Sequence, residues 1–507
     1  MKAARSYRWA AWIGLSAAVA GIIFLRAPEM VLAPALLFDE GAKVFAYFYE
    51  HRDAVELVRF KSGYVPLIGN LIGYLAVRFP TRAIPYAFVG SAVLIATFAY
   101  SLFFLRAFRR WVPSDLERAF ICLLFALAPI SDCLLVTMSD YSTWNLLGAL
   151  ILLTLCPPPT QRTWRYLHAF ACHLLVWSHP LTILITPVVV WYAFKNKEHR
   201  TFYHVLLFNL AFHQVFGVAG IVTMQGLWEH GGKLHVGLVS QFLHSCLWTG
   251  QIIVATAFRT AFGSPLFEWA VRERPSLLLA WIATVAAGCY LVARRIPRFR
   301  ALLAFTSYLV IGLTFLSCFL RYEDIHDDPI AFIIYSPRYI YLQSLCFLLL
   351  FGTALAAGWE LGLSFLPGRK QAIGQNLSQL TILPLAALLC HYYILNTQFG
   401  HYFVKNTQRA SPYYDPDARN GVIVREFFAR LAEMEQELGS RQGIQLTANK
   451  VNDWPIRIDT TIASPSTTLR LSHRARGFAI SLALVALAYC TRKIWIPRLP
   501  RRARLDL

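Results

Sequence analysis

WAAWIGLSAAVAGIIFL (residues 9–25) runs directly into RAPEMVLAPALLFDEG (residues 26–41). The first part carries no charge and is about as long as a helix must be to cross a hydrocarbon layer, roughly 20 residues at 1.5 Å each. A basic start precedes it and no small-residue cleavage site stands before Arg26, so it reads as a retained first span with a cytoplasmic N-terminus. The second part closes on Phe38-Asp39-Glu40-Gly41, two adjacent carboxylates in the first loop after that span.

Outward from there the same alternation continues. The chain has 507 residues, of which 57% are hydrophobic and only 15% charged, and its mean hydropathy is +0.47. That balance is too apolar for a soluble domain and predicts an all-α polytopic membrane protein. Apolar blocks fall at 9–25, 85–105, 117–137, 141–156, 166–178, 180–194, 202–222, 276–293, 301–320, 339–362, 379–396 and 477–491, about twelve transmembrane helices. The net charge of +20 sits in short clusters between blocks, which reports orientation and argues against nucleic acid as a partner. Counted from a cytoplasmic start, the clusters at 106–110, 162–165, 195–200, 294–300, 369–370 and 492–504 share one side. None of the 10 cysteines forms a CxxC pair, so neither a zinc site nor a disulfide framework is indicated.

Three stretches test this count. Residues 64–79 and 238–258 would invert the later clusters if either crossed alone, so both are expected as interfacial or re-entrant helices on the outer side. The block 166–194 breaks at His179-Pro180 and reads either as two tilted spans or as one bent hairpin. The organisation is thus a membrane region at 1–396, a small outer α/β segment at 397–475, and a final helix with a basic tail at 476–507. The first outer loop, 26–84, carries an amphipathic stripe of Val44, Phe45, Phe48, Val55 and Val58 with Glu50, Asp53 and Glu56 off it, which suits a helix lying on a membrane. In the late segment a helix is expected over 422–438, stopped by Gly439, followed by two short strand-like runs ending near 454–458.

The chemistry-bearing candidates lie on the outer side. Asp39 and Glu40 could take a proton from an acceptor hydroxyl, or could simply favour the first turn of a helix starting near Gly41. Arg338, in Ser336-Pro337-Arg338-Tyr339 at the mouth of the tenth block, suits a lipid phosphate because a planar guanidinium pairs with it bidentately; a snorkelling anchor or a partner for a carboxylate of its own loop reads equally well. Asp140 could add a second acid and Trp144 could stack on a sugar ring, or they are a loop aspartate and an interfacial aromatic. Arg59 and Lys61 belong to a basic lining of the first loop that suits an anionic donor, though Glu50, Asp53 and Glu56 nearly balance it. The acidic run at 323–328 has the composition of a divalent-metal site without EF-hand spacing. His173, His179 and His213 read as hydrogen-bonded interior residues, since two of them at a metal would need a third ligand.

With these residues in view, the chain resembles the GT-C superfamily of integral-membrane glycosyltransferases, whose signature is a modified acidic pair in the first outer loop. Asp39-Glu40-Gly41 has the DEx form. It looks most like bacterial members in which the acidic motif is followed by an aromatic-rich helix, a Gly-Tyr (Gly63-Tyr64) and an apolar stretch ending in Pro (Leu67 onward to Pro80). The similarity is one of layout over residues 9–396, including Pro337-Arg338-Tyr339, and leaves the late segment unmatched. It implies an inverting transfer of a sugar from a polyprenyl-phosphate carrier to a glycan, lipid or protein acceptor, on the periplasmic face of a bacterial inner membrane. Asp39 would be the general base, Glu40 would orient the acceptor or help bind a divalent metal, which some relatives use, and Arg338 with Tyr339, and more weakly Lys61 and Arg59, would hold the donor phosphate. An O-antigen polymerase or ligase, drawing on His401, Arg409, Arg419 and His473 of the late loop, and a lipid or sugar transporter or flippase are the competing readings.

Overall fold

A computed structural model describes residues 2–26, 31–32, 34, 40–59, 64–128, 142–220, 238–320, 325, 329, 337–364, 385–391, 419–441, 444–448 and 456–459. The helices follow the hydrophobic blocks: α1 (Lys2–Arg26), α2 (Ala46–Glu50), α3 (Leu67–Ala76), α4 (Ile84–Ser101), α5 (Asp115–Ala126), α6 (Ser142–Leu155), α7 (Arg162–Val176), α8 (Thr186–Lys195), α9 (Arg200–Gly220), α10 (Leu238–Glu273), α11 (Pro275–Arg295), α12 (Pro297–Leu320), α13 (Tyr341–Ser364) and α14 (Arg419–Leu438). Among the described residues, 5 stretches are long and apolar enough to cross a membrane: Trp9–Arg26, Thr81–Phe104, Pro275–Arg295, Phe299–Phe319 and Tyr341–Gly358. A helix stands at every expected position from the first to the tenth. The eleventh is represented only by residues 385–391, and the twelfth, 477–491, lies outside the described residues.

The helices run between two ends. At one, Arg110 donates to the Leu155 carbonyl at 2.9 Å and to the Tyr192 hydroxyl at 3.2 Å, while Trp9 stacks on Trp164 with centroids 5.5 Å apart. At the other, Arg26 donates to the Ala126 carbonyl at 2.6 Å, and Trp177 meets Phe216 at 5.8 Å. Block 166–194 is therefore two antiparallel helices, α7 and α8. Pro180 cannot continue α7, and His179 opens the next turn by accepting the Leu181 N–H on Nδ1 at 3.1 Å.

Local chemistry sets the remaining bounds. Ser114 caps α5 by accepting the Glu117 N–H at 3.3 Å, and Arg118, 1% exposed, ties that helix start to the Val112 and Pro113 carbonyls and to Asp115. The stretch at 238–258 belongs to a longer element: α10 reverses at Gly263, whose φ of 79° and ψ of 173° suit glycine alone. Phe262 at the reversal meets Trp281 of α11 at 4.7 Å, and Phe267 and Ala270 of the returning arm join Trp248, Ile252 and Phe258 of the first arm in one apolar cluster. The two arms thus fold against each other as a hairpin that packs beside α11.

The first loop corrects the amphipathic reading. A π turn over Glu40–Phe45 leads into α2, the chain turns at His51, and a 3-10 turn follows at Ala54–Val58. Val44, Phe45 and Phe48 are buried as the stripe requires, but Glu56 is buried and Val58 is 39% exposed, because the break rotates the second half. The apolar face is covered by protein rather than left for a lipid surface. Phe45 packs on Phe428 at 4.8 Å and Phe427 at 6.4 Å, both from α14. That helix ends at Gly439, whose φ is +60°, and β1 (Gln445–Ala448) pairs antiparallel with β2 (Ile456–Asp459), Leu446 facing Ile458.

Candidate functional site

Glu40 opens the π turn and is 1% exposed. Its place in the first turn is the one expected of an acidic residue that complements a helix N-terminus. Beneath it, Gly73 of α3 makes room for the loop: a β-carbon there would lie 2.5 Å from Phe48 Cδ2 and 2.9 Å from Val44 Cγ1. α3 begins against α7, the Leu67 N–H donating to the Trp177 carbonyl at 2.9 Å. Through this packing the acidic loop sits on the same end of the bundle as the break at His179.

Around His179 and Trp144 the structure gathers two more aromatic side chains, Tyr64 and Tyr339, from distant parts of the chain. Trp144 of α6 lies 4.4 Å from the His179 ring, Tyr64 lies 6.3 Å from it, and Tyr339 meets Trp144 edge-on at 5.9 Å. Tyr339 belongs to the 3-10 turn Pro337–Ile340, and Ile340 is buried against the α10 hairpin. Trp144 is 6% exposed, so His179 and Tyr339 occupy the ring that the sequence offers to a sugar. Just inside, Tyr341 donates to Asn145 Oδ1 at 2.7 Å and contacts the Tyr100 hydroxyl, and Tyr100 and Asn145 line a cavity of about 60 Å³ between α4, α5, α6, α12 and α13.

A second polar cluster joins the first loop to α14. Glu435 accepts from Tyr49 at 2.6 Å and from Thr81, and pairs with Arg441 at 2.6 Å; Arg441 also donates to the Val77 carbonyl at 2.7 Å. Burial, the hydrogen bond to Glu435 and its charge push the Tyr49 phenol well above its ordinary value. Arg59 lies over the Tyr47 ring at 3.4 Å, and Tyr47 donates to Glu56.

Of the site residues expected from sequence, Trp144 and Tyr339 are brought together, and Glu40 and Arg59 lie in the loop packed on α3. Asp39, Lys61 and Asp140 fall outside the described residues, and for Arg338 the backbone alone is described. Among the described residues no group of three or more His, Cys, Asp or Glu side chains converges as a metal site. His173 meets Asn209 Nδ2 at 3.2 Å and His213 meets Gln214 Nε2 at 3.3 Å, an interior polar network beside Trp177. Sequence reasoning missed His179 as the centre of the aromatic cluster and missed Glu435 altogether. The break at His179-Pro180 was the available signal for the first, and nothing local marks the second.

These features define a helical membrane protein whose first loop is roofed by a late helix and hairpin. No family model, curated protein or solved structure matches the chain.

Proposed function

We propose that the chain is an inverting glycosyltransferase that moves a sugar from a polyprenyl-phosphate carrier to an acceptor on the periplasmic face of a bacterial inner membrane, within a topology of about twelve spans. Asp39 is the general base for the acceptor hydroxyl, Glu40 orients the acceptor or contributes to a divalent-metal site, and Arg338 with Tyr339 neutralises the departing phosphate. The reading is carried by one observation: the acidic loop and the Pro337-Arg338-Tyr339 turn belong to the same end of the bundle, linked through Trp144, His179 and α3. Such a transfer needs little beyond a base at the hydroxyl and positive charge at the phosphate.

A second reading, a polymerase or ligase that also consumes lipid-linked sugars, draws support from the packing of α14 on the first loop. A transfer assay separates the two, comparing wild type with Asp39→Asn and Arg338→Ala after membrane insertion has been checked in each. Loss of transfer with retained donor binding in Asp39→Asn supports the base assignment. Full activity in that variant moves the chemistry to the late loop.

A further inference from the structure

The junction between the first loop and α14 gathers three guanidiniums. Arg52 and Arg441 each place their guanidinium carbon 5.3 Å from the centroid of the Tyr49 ring. Arg78 joins them, lying over Tyr74 at 3.4 Å and donating to the Arg52 carbonyl at 3.3 Å. Among the described residues Glu435, through Arg441, is the one carboxylate bonded to any of the three. Arg52 spends only its Nε, on the Tyr49 carbonyl at 3.3 Å, and both of its terminal nitrogens are without an acceptor among the described residues; so is Nη2 of Arg441. Arg52 and Arg78 are exposed and Arg441 is half-buried; partial desolvation first, and then the charge of Arg441, lower the pKa of Arg52, Tyr49 and Glu435 act against them, and Arg78 adds the smallest part.

Three guanidiniums with one carboxylate bonded among them repel one another in part, and an anion seated between them would offset that repulsion. Held on tyrosine faces, their forks are pre-organised, and a tetrahedral oxyanion uses such forks bidentately in a way that a halide does not. We propose that Arg52, Arg78 and Arg441 form an anion site that takes a phosphate-type group and thereby fastens α14 to the first loop. The assignment stands apart from the transfer reaction proposed above and needs no activity to be tested.

The test is hydrogen exchange on the full chain in phosphatidylcholine nanodiscs, titrated with inorganic phosphate at fixed ionic strength. Phosphate is expected to slow exchange in residues 40–59 and 419–441 of the wild type. Arg52→Gln, which removes both terminal amines together with the long Nε bond to the Tyr49 carbonyl, should shift the midpoint at least about tenfold, as the loss of one charge-assisted fork implies. Arg78→Gln should act in the same direction, and Arg430→Gln, which removes an exposed arginine paired with Glu433 and Glu437, should leave the midpoint unchanged. Replacing part of the lipid with phosphatidylglycerol distinguishes the sources: protection without added phosphate assigns the site to a lipid headgroup, and protection by free phosphate alone assigns it to a soluble one. No protection from either source, or an unchanged midpoint in both Arg52→Gln and Arg78→Gln, overturns the proposal.

Discussion

The phenol of Tyr49 donates a 2.6 Å hydrogen bond to Oε1 of Glu435, joining residues 386 positions apart. Thr81 and Arg441 meet the same carboxylate. Glu435→Ala leaves these donors without their acceptor, at a cost of about 1–3 kcal/mol. The expected result is faster hydrogen exchange in residues 419–441, with a smaller effect for Glu435→Gln, which keeps an acceptor oxygen. Unchanged exchange in the alanine variant would show that the Phe45 and Phe428 contact suffices.

The same bond gives the junction an alkaline limit. The ordinary value for Tyr49 is 10.0, and the folded protein raises it through burial and Glu435. A group raised in this way stabilises the fold fully below its unfolded value, and that contribution falls away as pH climbs through the unfolded value toward the folded one. Proteolysis of the late segment is therefore expected to accelerate above about pH 10 in wild type. In Tyr49→Phe the rate should start higher and lack that step.

Gly73→Ala places a methyl 2.5 Å from Phe48 Cδ2 and 2.9 Å from Val44 Cγ1, so the loop bearing Glu40 has to move away from α3. Overpacking of this kind costs about 1–3 kcal/mol. The expected signature is a lowered thermal midpoint with raised protease access at residues 40–59, and wild-type values for both would show that the loop yields freely.

Asp115 fixes the start of α5 through Arg109, at 2.6 Å and 2.5 Å, and through Arg118. Burial opposes its charge, but the hydrogen bonds from Arg109 and Arg118 outweigh it and hold the carboxyl below its usual 3.8. The stabilisation is present above that value and is lost as pH falls through the lowered one. Asp115→Asn should lower the thermal midpoint at pH 7, and the difference from wild type should vanish in strong acid.

Gly263→Val puts a β-branched residue at φ 79° and ψ 173°, a region effectively reserved for glycine, at a cost of about 1–3 kcal/mol. Poor membrane yield with the α10 reversal lost is the expected outcome. Gly250→Ala, at a position where a β-carbon meets nothing within 4 Å, is the control.

Much of this fold is legible along the chain because it is local. Apolar runs place α1, α4 and α11 to α13, His179-Pro180 marks the α7 to α8 break, and Gly439 stops α14. What hydropathy leaves out is the identity of the partner. Phe45 and Phe48 give the same pattern whether they face lipid or Phe428, which is why the first loop reads as a surface helix and is a covered one. Glu56 turns inward because the chain bends at His51, a change of direction that a continuous helical projection does not register. The candidate site is less legible still: Trp144, His179 and Tyr339 read as separate features, and only tertiary packing sets the histidine and the tyrosine against the one tryptophan ring.

The bond between Tyr49 and Glu435 also orders events during synthesis. The first loop leaves the ribosome 386 residues before its partner exists. At about 5–20 residues per second that interval is roughly 20 to 80 s, during which Phe45 and Phe48 have no α14 to cover them. The loop thus makes its first contacts with α3 or with the insertion machinery, and the roof is added only after α3 to α13 have been synthesised.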